Sequence, residues 1–123
     1  MVESGIEVQK NKTVLGIDEN IEGALCYILG IVTGILFLVL EKENKFVRFH
    51  AMQSIATFLP IFVIYIFLGM ILFWIPFIGW LIYMLLSLLI ALLWFILMLK
   101  AFQGEKYKLP IVGDIVEKQI GYV

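Results

Sequence analysis

The chain has 123 residues, 63% hydrophobic and 15% charged, with a mean hydropathy of +1.04, against roughly 45 to 50% apolar residues in a soluble domain. Water is excluded as its main solvent, because one domain of this length cannot bury so much apolar surface in a core of its own. Nine Lys and Arg nearly cancel ten Asp and Glu; no basic patch with interleaved aromatics marks a nucleic-acid surface, and the single cysteine, Cys26, excludes an internal disulfide or a CxxC site.

The first apolar run, Gly23 to Leu40, carries no charge over 18 positions. As one helix it spans roughly 27 Å, just enough to cross a bilayer. The acidic segment before it and the missing A-x-A site argue against a secretory signal peptide. Asp18, Glu19 and Asn20 supply capping groups and negative charge where the helix dipole favours them.

From Ala51 to Leu99 no charged residue and no His occurs over 49 positions. About 20 residues cross a bilayer once, so this run is two spans and a turn. Trp74-Ile75-Pro76-Phe77-Ile78-Gly79-Trp80 supplies the breakers. The expected architecture is an all-α, polytopic membrane protein with about three transmembrane helices, at about 23–40, 51–75 and 79–99. An amphipathic segment near 46–54, FVRFHAMQS, is expected in the interface ahead of the second span; a re-entrant course for that segment is the alternative and would change the number of spans.

Lys42, Lys45, Arg48, Lys100, Lys106, Lys108 and Lys118 oppose Lys10 and Lys12. This bias places the N-terminal tail, 1–22, outside the cytoplasmic membrane. It places the first loop and the tail, 100–123, in the cytoplasm, with the helical domain 23–99 between. Trp74 and Trp80 fit an outer aromatic belt, and Phe46, Phe49, Phe102 and Tyr107 an inner one. In the tail, Val112, Ile115, Val116 and Ile120 share one face of a short helix, suited to the interface or to packing back on the loop.

Two constellations carry the functional reading. Gly30 and Gly34 form a G-x-x-x-G spacing and, with Gly23 and Tyr27, a stripe of close approach. Packing within the chain and a homo-oligomer seam both fit. His50, Gln53, Ser54 and Thr57, at i, i+3, i+4 and i+7 and preceded by Arg48, keep one face polar for two turns into the membrane. Pro60 follows, where a kink is expected because Ala56 loses its donor. Such a stripe can bond helices together, line a vestibule or hold a lipid head group. One His and one Cys, with no Asp or Glu inside the apolar runs, leave no catalytic site, no metal site and no cofactor to expect.

The strings EKENKFVRFHAMQS, WIPFIGW and KAFQGEKYKLPIVGDI, within a match from about Asn20 to Gln119, resemble a family of small archaeal and bacterial membrane proteins. That family is in turn distantly similar to the small membrane subunit of the translocon at the chloroplast inner envelope (Tic). The first resemblance, with Arg48, Phe49, His50, Ala51, Gln53 and Ser54 on the shared stretch, implies a membrane protein and carries no established activity; the expectation from the residues themselves is a protein acting by packing with itself, lipid or other membrane proteins. The second resemblance implies, as the alternative, a channel or translocation component.

Overall fold

The structure, a computed structural model, describes residues 13–120. Five helices follow in order: α1 (Glu19–Ile28), α2 (Ile31–Leu40), α3 (Lys45–Leu72), α4 (Ile78–Phe102) and α5 (Val112–Ile120). No strand occurs among the described residues. Lys10 and Lys12, two of the basic residues used to orient the chain, lie outside them.

The two spans expected from the long uncharged run are α3 and α4. At 1.5 Å per residue they reach roughly 42 Å and 37 Å, more than the ~30 Å hydrocarbon core. Only 11% and 6% of their most apolar windows are buried in the protein, so lipid is their main neighbour. They meet where Tyr65 donates to the Ser87 hydroxyl and the Tyr65 and Tyr83 rings pack with centroids 4.2 Å apart.

The run 23–40 differs from the single span expected of it. It breaks at Gly30, whose φ of 62° and ψ of −113° suit glycine alone, into two ten-residue helices of roughly 15 Å each. The second returns beside the first. Along α3, Gly23 faces Phe46 and His50, Gly30 faces Phe58, and Gly34 is back at Ala51 and Ser54. The Arg48 guanidinium then donates to the carbonyls of Leu38 and Glu41. At the base of this hairpin Val14 N donates to Glu41, Asn44 to Glu19, and Asn20 to the Phe102 carbonyl at the end of α4.

The start of α1, the α2–α3 loop and the end of α4 therefore share one end of the molecule, the charged end. The described part of the tail 1–22 lies there too, not across from the C-terminal tail as the 23–40 span required. The opposite end is the turn between α3 and α4, where Phe73, Trp74 and Phe77 are 80%, 79% and 86% exposed, as an aromatic belt requires.

A re-entrant turn is viable in lipid only if its freed backbone groups find partners. Here each element supplies one. Thr33 Oγ1 donates to the Cys26 carbonyl and accepts from Leu29 N. Ser54 Oγ donates to the Gly30 carbonyl, and Trp94 Nε1 from α4 donates to the Tyr27 carbonyl. On one side the hairpin packs Ala24 and Tyr27 with Phe58, Leu97 and Ala101. On the other, Cys26 and Phe37 pack with Phe46, Val47 and Ala51 of α3.

The segment 46–54 opens α3, as the start of the second helix, and is the most enclosed part of the fold. Phe46 and Phe49, expected in the inner aromatic belt, are buried there, while Phe102 and Tyr107 are exposed. Two turns share one local design: Pro76-Phe77-Ile78-Gly79 leads into α4 and Pro110-Ile111-Val112-Gly113 into α5. In both, the residue after proline has positive φ and is spanned by a bond from the next N–H to the proline carbonyl, 2.7 Å each. In α5, Gly113, Val116 and Glu117 are the buried residues while Ile115 is exposed, so the packed face is rotated from the one expected.

Candidate functional site

The polar stripe of α3 becomes a closed network. His50 Nδ1 and Tyr27 Oη are 2.7 Å apart, and His50 Nε2 lies 3.0 Å from the Glu105 carbonyl. A carbonyl only accepts, so Nε2 carries the proton, Nδ1 accepts from the tyrosine, and the ring is neutral. Gln53 Nε2 donates to Tyr27 Oη (3.0 Å) and to the Tyr107 carbonyl (2.9 Å), while its Oε1 accepts from Leu109 N (3.1 Å). The side-chain amide thus pairs with the 107–109 backbone as a neighbouring strand would. Tyr27, Phe46 and Phe49 pack edge-on around the His50 ring.

Tyr27, His50 and Gln53 are all fully buried. The network joins the hairpin, α3 and the connector after α4, and its buried polar atoms are partnered, as low-dielectric surroundings demand. It fastens these three segments to one another. The other stripe residues separate from it. Arg48 caps the C-terminus of α2, where a cation is favoured; Ser54 serves the Gly30 turn; and the buried Thr57 hydroxyl has no partner among the described residues. Pro60 sits within α3, which runs through it without interruption. Gly23 and Gly34 are spent on close approach of the hairpin to α3.

One charged pair was not anticipated. At the hairpin base, outside both spanning helices, Glu22 is 0% and Glu41 3% exposed. Neither Glu22 oxygen has a donor among the described residues. Its neighbour Glu41 accepts from Val14 N (2.8 Å) and Asn44 N (3.3 Å). Burial first, and the adjacent Glu41 carboxylate second, push Glu22 from 4.5 up to about 7. A protonated Glu22 becomes the donor this pair lacks.

The folded state holds that proton more tightly than the unfolded chain, so its stabilisation is complete below pH 4.5 and lost as pH rises through about 7. The unfolding midpoint in detergent is expected to fall across that window, and Glu22→Gln to flatten the fall. An undiminished slope in the variant would assign the pH response to another group.

On the charged end, Lys100 pairs with Glu105 at 3.3 Å, Lys106 with Glu117, and Lys108 with both Asp114 and Glu117 at 3.2 Å. Lys106 and Lys108 hold the Glu117 carboxyl below its usual range, against the opposing effect of burial. These cations are substantially neutralised by the protein itself, which weakens them as anionic-lipid anchors. Among the described residues no group of three or more His, Cys, Asp or Glu converges to hold a metal ion.

Residues 18–116 match the MamF/MmsF family, the magnetosome magnetite crystal formation protein family. A UPF0132 membrane protein of Methanocaldococcus jannaschii is 55% identical, covering 87% of this chain and 93% of the relative. Another, of Archaeoglobus fulgidus, is 50% identical, covering 85% of this chain and 98% of the relative. No solved structure matches. The resemblance to small archaeal membrane proteins therefore stands, and nothing among these matches links the chain to the chloroplast translocon.

Proposed function

The chain belongs to the magnetosome magnetite crystal formation protein family and to the UPF0132 membrane proteins, and we propose that it is a non-catalytic scaffold embedded in the cytoplasmic membrane. The observation that carries the reading is the re-entrant hairpin fastened to the charged half of α3 by Tyr27, His50 and Gln53. It spends the stripe that would otherwise line a vestibule. What the molecule offers outward is a charged platform at one membrane face and the bare sides of two spans, which pack with lipid, a second copy or other membrane proteins.

With the hairpin turning back, the described start of the chain and the C-terminal helix lie on the cytoplasmic side. The seven Lys and Arg among the described residues fall on that side too, as the positive-inside rule requires. The family description concerns mineral formation. A translocation conduit would need a wet path through the apolar stretch beyond Thr57, and the fastener leaves the stripe no free polar face to begin one.

The test is a sidedness measurement in a Cys26→Ala background with single cysteines at the exposed positions Leu15, Trp74 and Lys118. Leu15→Cys and Lys118→Cys are expected to react with an impermeant maleimide from the cytoplasmic face, and Trp74→Cys from the other. Reaction of Leu15→Cys on the Trp74 side would restore a crossing over 23–40 and sink the proposal.

A further inference from the structure

The two halves of the membrane-embedded body differ in width. In the charged half, α1, α2, α3 and α4 lie side by side. The hairpin stops where Gly30 meets the Phe58 ring and Trp94 reaches the Tyr27 carbonyl. Phe58 is halfway along the 28-residue α3. Beyond that level the described residues offer only the remainder of α3 and α4, touching through Tyr65, Tyr83 and Ser87. A helix with its side chains is roughly 10 Å across, so one leaflet holds about twice the helical cross-section of the other.

We propose that the protein is a membrane wedge that prefers a curved bilayer, with its wide, charged end on the convex face. A leaflet obliged to hold the extra area expands relative to its partner, and the bilayer bends toward the narrow end, which comes to lie on the concave face. The asymmetry cannot relax by splaying of the hairpin. Tyr27, His50 and Gln53 fasten it to α3 and the connector, and Arg48 and Ser54 hold its second leg and its turn.

Beside the hairpin tip, a cavity of about 680 Å³ lined by Gly30, Phe62, Tyr65, Ser87 and Trp94 among others lies open at the level where the body narrows. Lipid tails of the narrow-side leaflet are the occupant that the depth, the apolar lining and the exposed spans select. The inference rests on the membrane placement proposed above, because a hairpin confined to one leaflet is what makes the wedge.

The experiment uses the full chain with Cys26→Ala and a fluorophore at Lys118→Cys, reconstituted in giant vesicles of neutral phosphatidylcholine, so that charge cannot sort it. A membrane tether is drawn from each vesicle, and external quencher identifies molecules with the charged end outward. Those molecules are expected to be enriched several-fold in the tether over the flat membrane, increasingly as the tether thins, and inverted molecules to be depleted.

Equal density on tether and vesicle would overturn the wedge, as would enrichment independent of orientation. Self-association filling the narrow half would appear as that same loss of sorting and would equally overturn it. The Leu15→Cys sidedness measurement separates the two readings. A Leu15 label on the face opposite Lys118 removes the placement itself, whereas labels on one face with uniform density remove the wedge alone. Cys26→Ala removes the Cys26 Sγ contact with the Val47 carbonyl and leaves Tyr27, His50, Gln53, Arg48 and Ser54, which fasten the hairpin, in place.

Discussion

Replacing His50 with alanine is expected to destabilise the folded protein by about 3 kcal/mol, from two lost hydrogen bonds of about 1 kcal/mol each and the void left by the ring. The substitution strands two partners. The Glu105 carbonyl loses its donor, and the Tyr27 hydroxyl, still accepting from Gln53, loses its acceptor. Three aromatic rings that pack edge-on around the imidazole lose their common contact. Interhelical hydrogen bonds in membranes average only about 0.6 kcal/mol, so packing carries a comparable share of the loss.

Tyr27→Phe, which keeps the ring, is expected to cost less, about 1 kcal/mol. The double variant should cost less than the sum of the two, because both remove the same bond. Unfolding in mixed micelles measures all three. Additive losses would mean that Tyr27 and His50 act separately and that the fastener is not a unit.

The same residues show how much was legible in the sequence. The 49-residue uncharged run dictated two spans because lipid sets the length of a crossing, and α3 and α4 follow. The i, i+3, i+4, i+7 spacing put His50, Gln53 and Ser54 on one face, and they are all buried on the face that receives the hairpin. What that face meets was not legible, since its partners are a tyrosine 23 residues upstream and a backbone more than 50 residues downstream. Their proximity is a product of the tertiary fold.

The hairpin was hidden by a coincidence of length. Eighteen apolar residues are the minimum for one crossing and also suffice for two short legs. Two signals pointed the other way. A return at Gly30 brings the described start of the chain to the end that holds Lys42, Lys45, Arg48 and the basic residues after Lys100. Thr33, three residues after that glycine, has the hydroxyl that a re-entrant turn needs for its own backbone. Charge distribution weighs more than apolar length when the length is marginal, because length tolerates either path while a stranded lysine tail does not. The Glu22 and Glu41 pair was illegible for a related reason: the residues are 19 positions apart and meet only because the hairpin closes.

Gly34→Leu gives the other large effect and decides what the G-x-x-x-G spacing is for. A Cβ at residue 34 would sit 3.0 Å from the Ala51 carbonyl oxygen, 3.0 Å from Ile55 Cγ1 and 3.3 Å from Ser54 Cβ. The Ile55 side chain can turn aside, but the Ala51 oxygen belongs to the α3 backbone and cannot. Three further carbons leave no arrangement that keeps α2 against α3, so a loss of about 3 kcal/mol, the upper part of the usual cost of overpacking, is expected. Gly34→Ala asks only for a few tenths of an ångström and should cost markedly less.

The readout is Cys26, buried on α1 with its Sγ 3.7 Å from the Val47 carbonyl of α3. In the leucine variant the displaced hairpin should expose it to a maleimide that the wild-type protein resists. If Cys26 stays protected while the oligomeric state in native lipid changes, Gly34 lies at a seam between copies and the hairpin contact is secondary. If Cys26 opens at unchanged oligomeric state, the stripe is consumed within one chain. Any contact between copies would then fall to the exposed outer faces of α3 and α4.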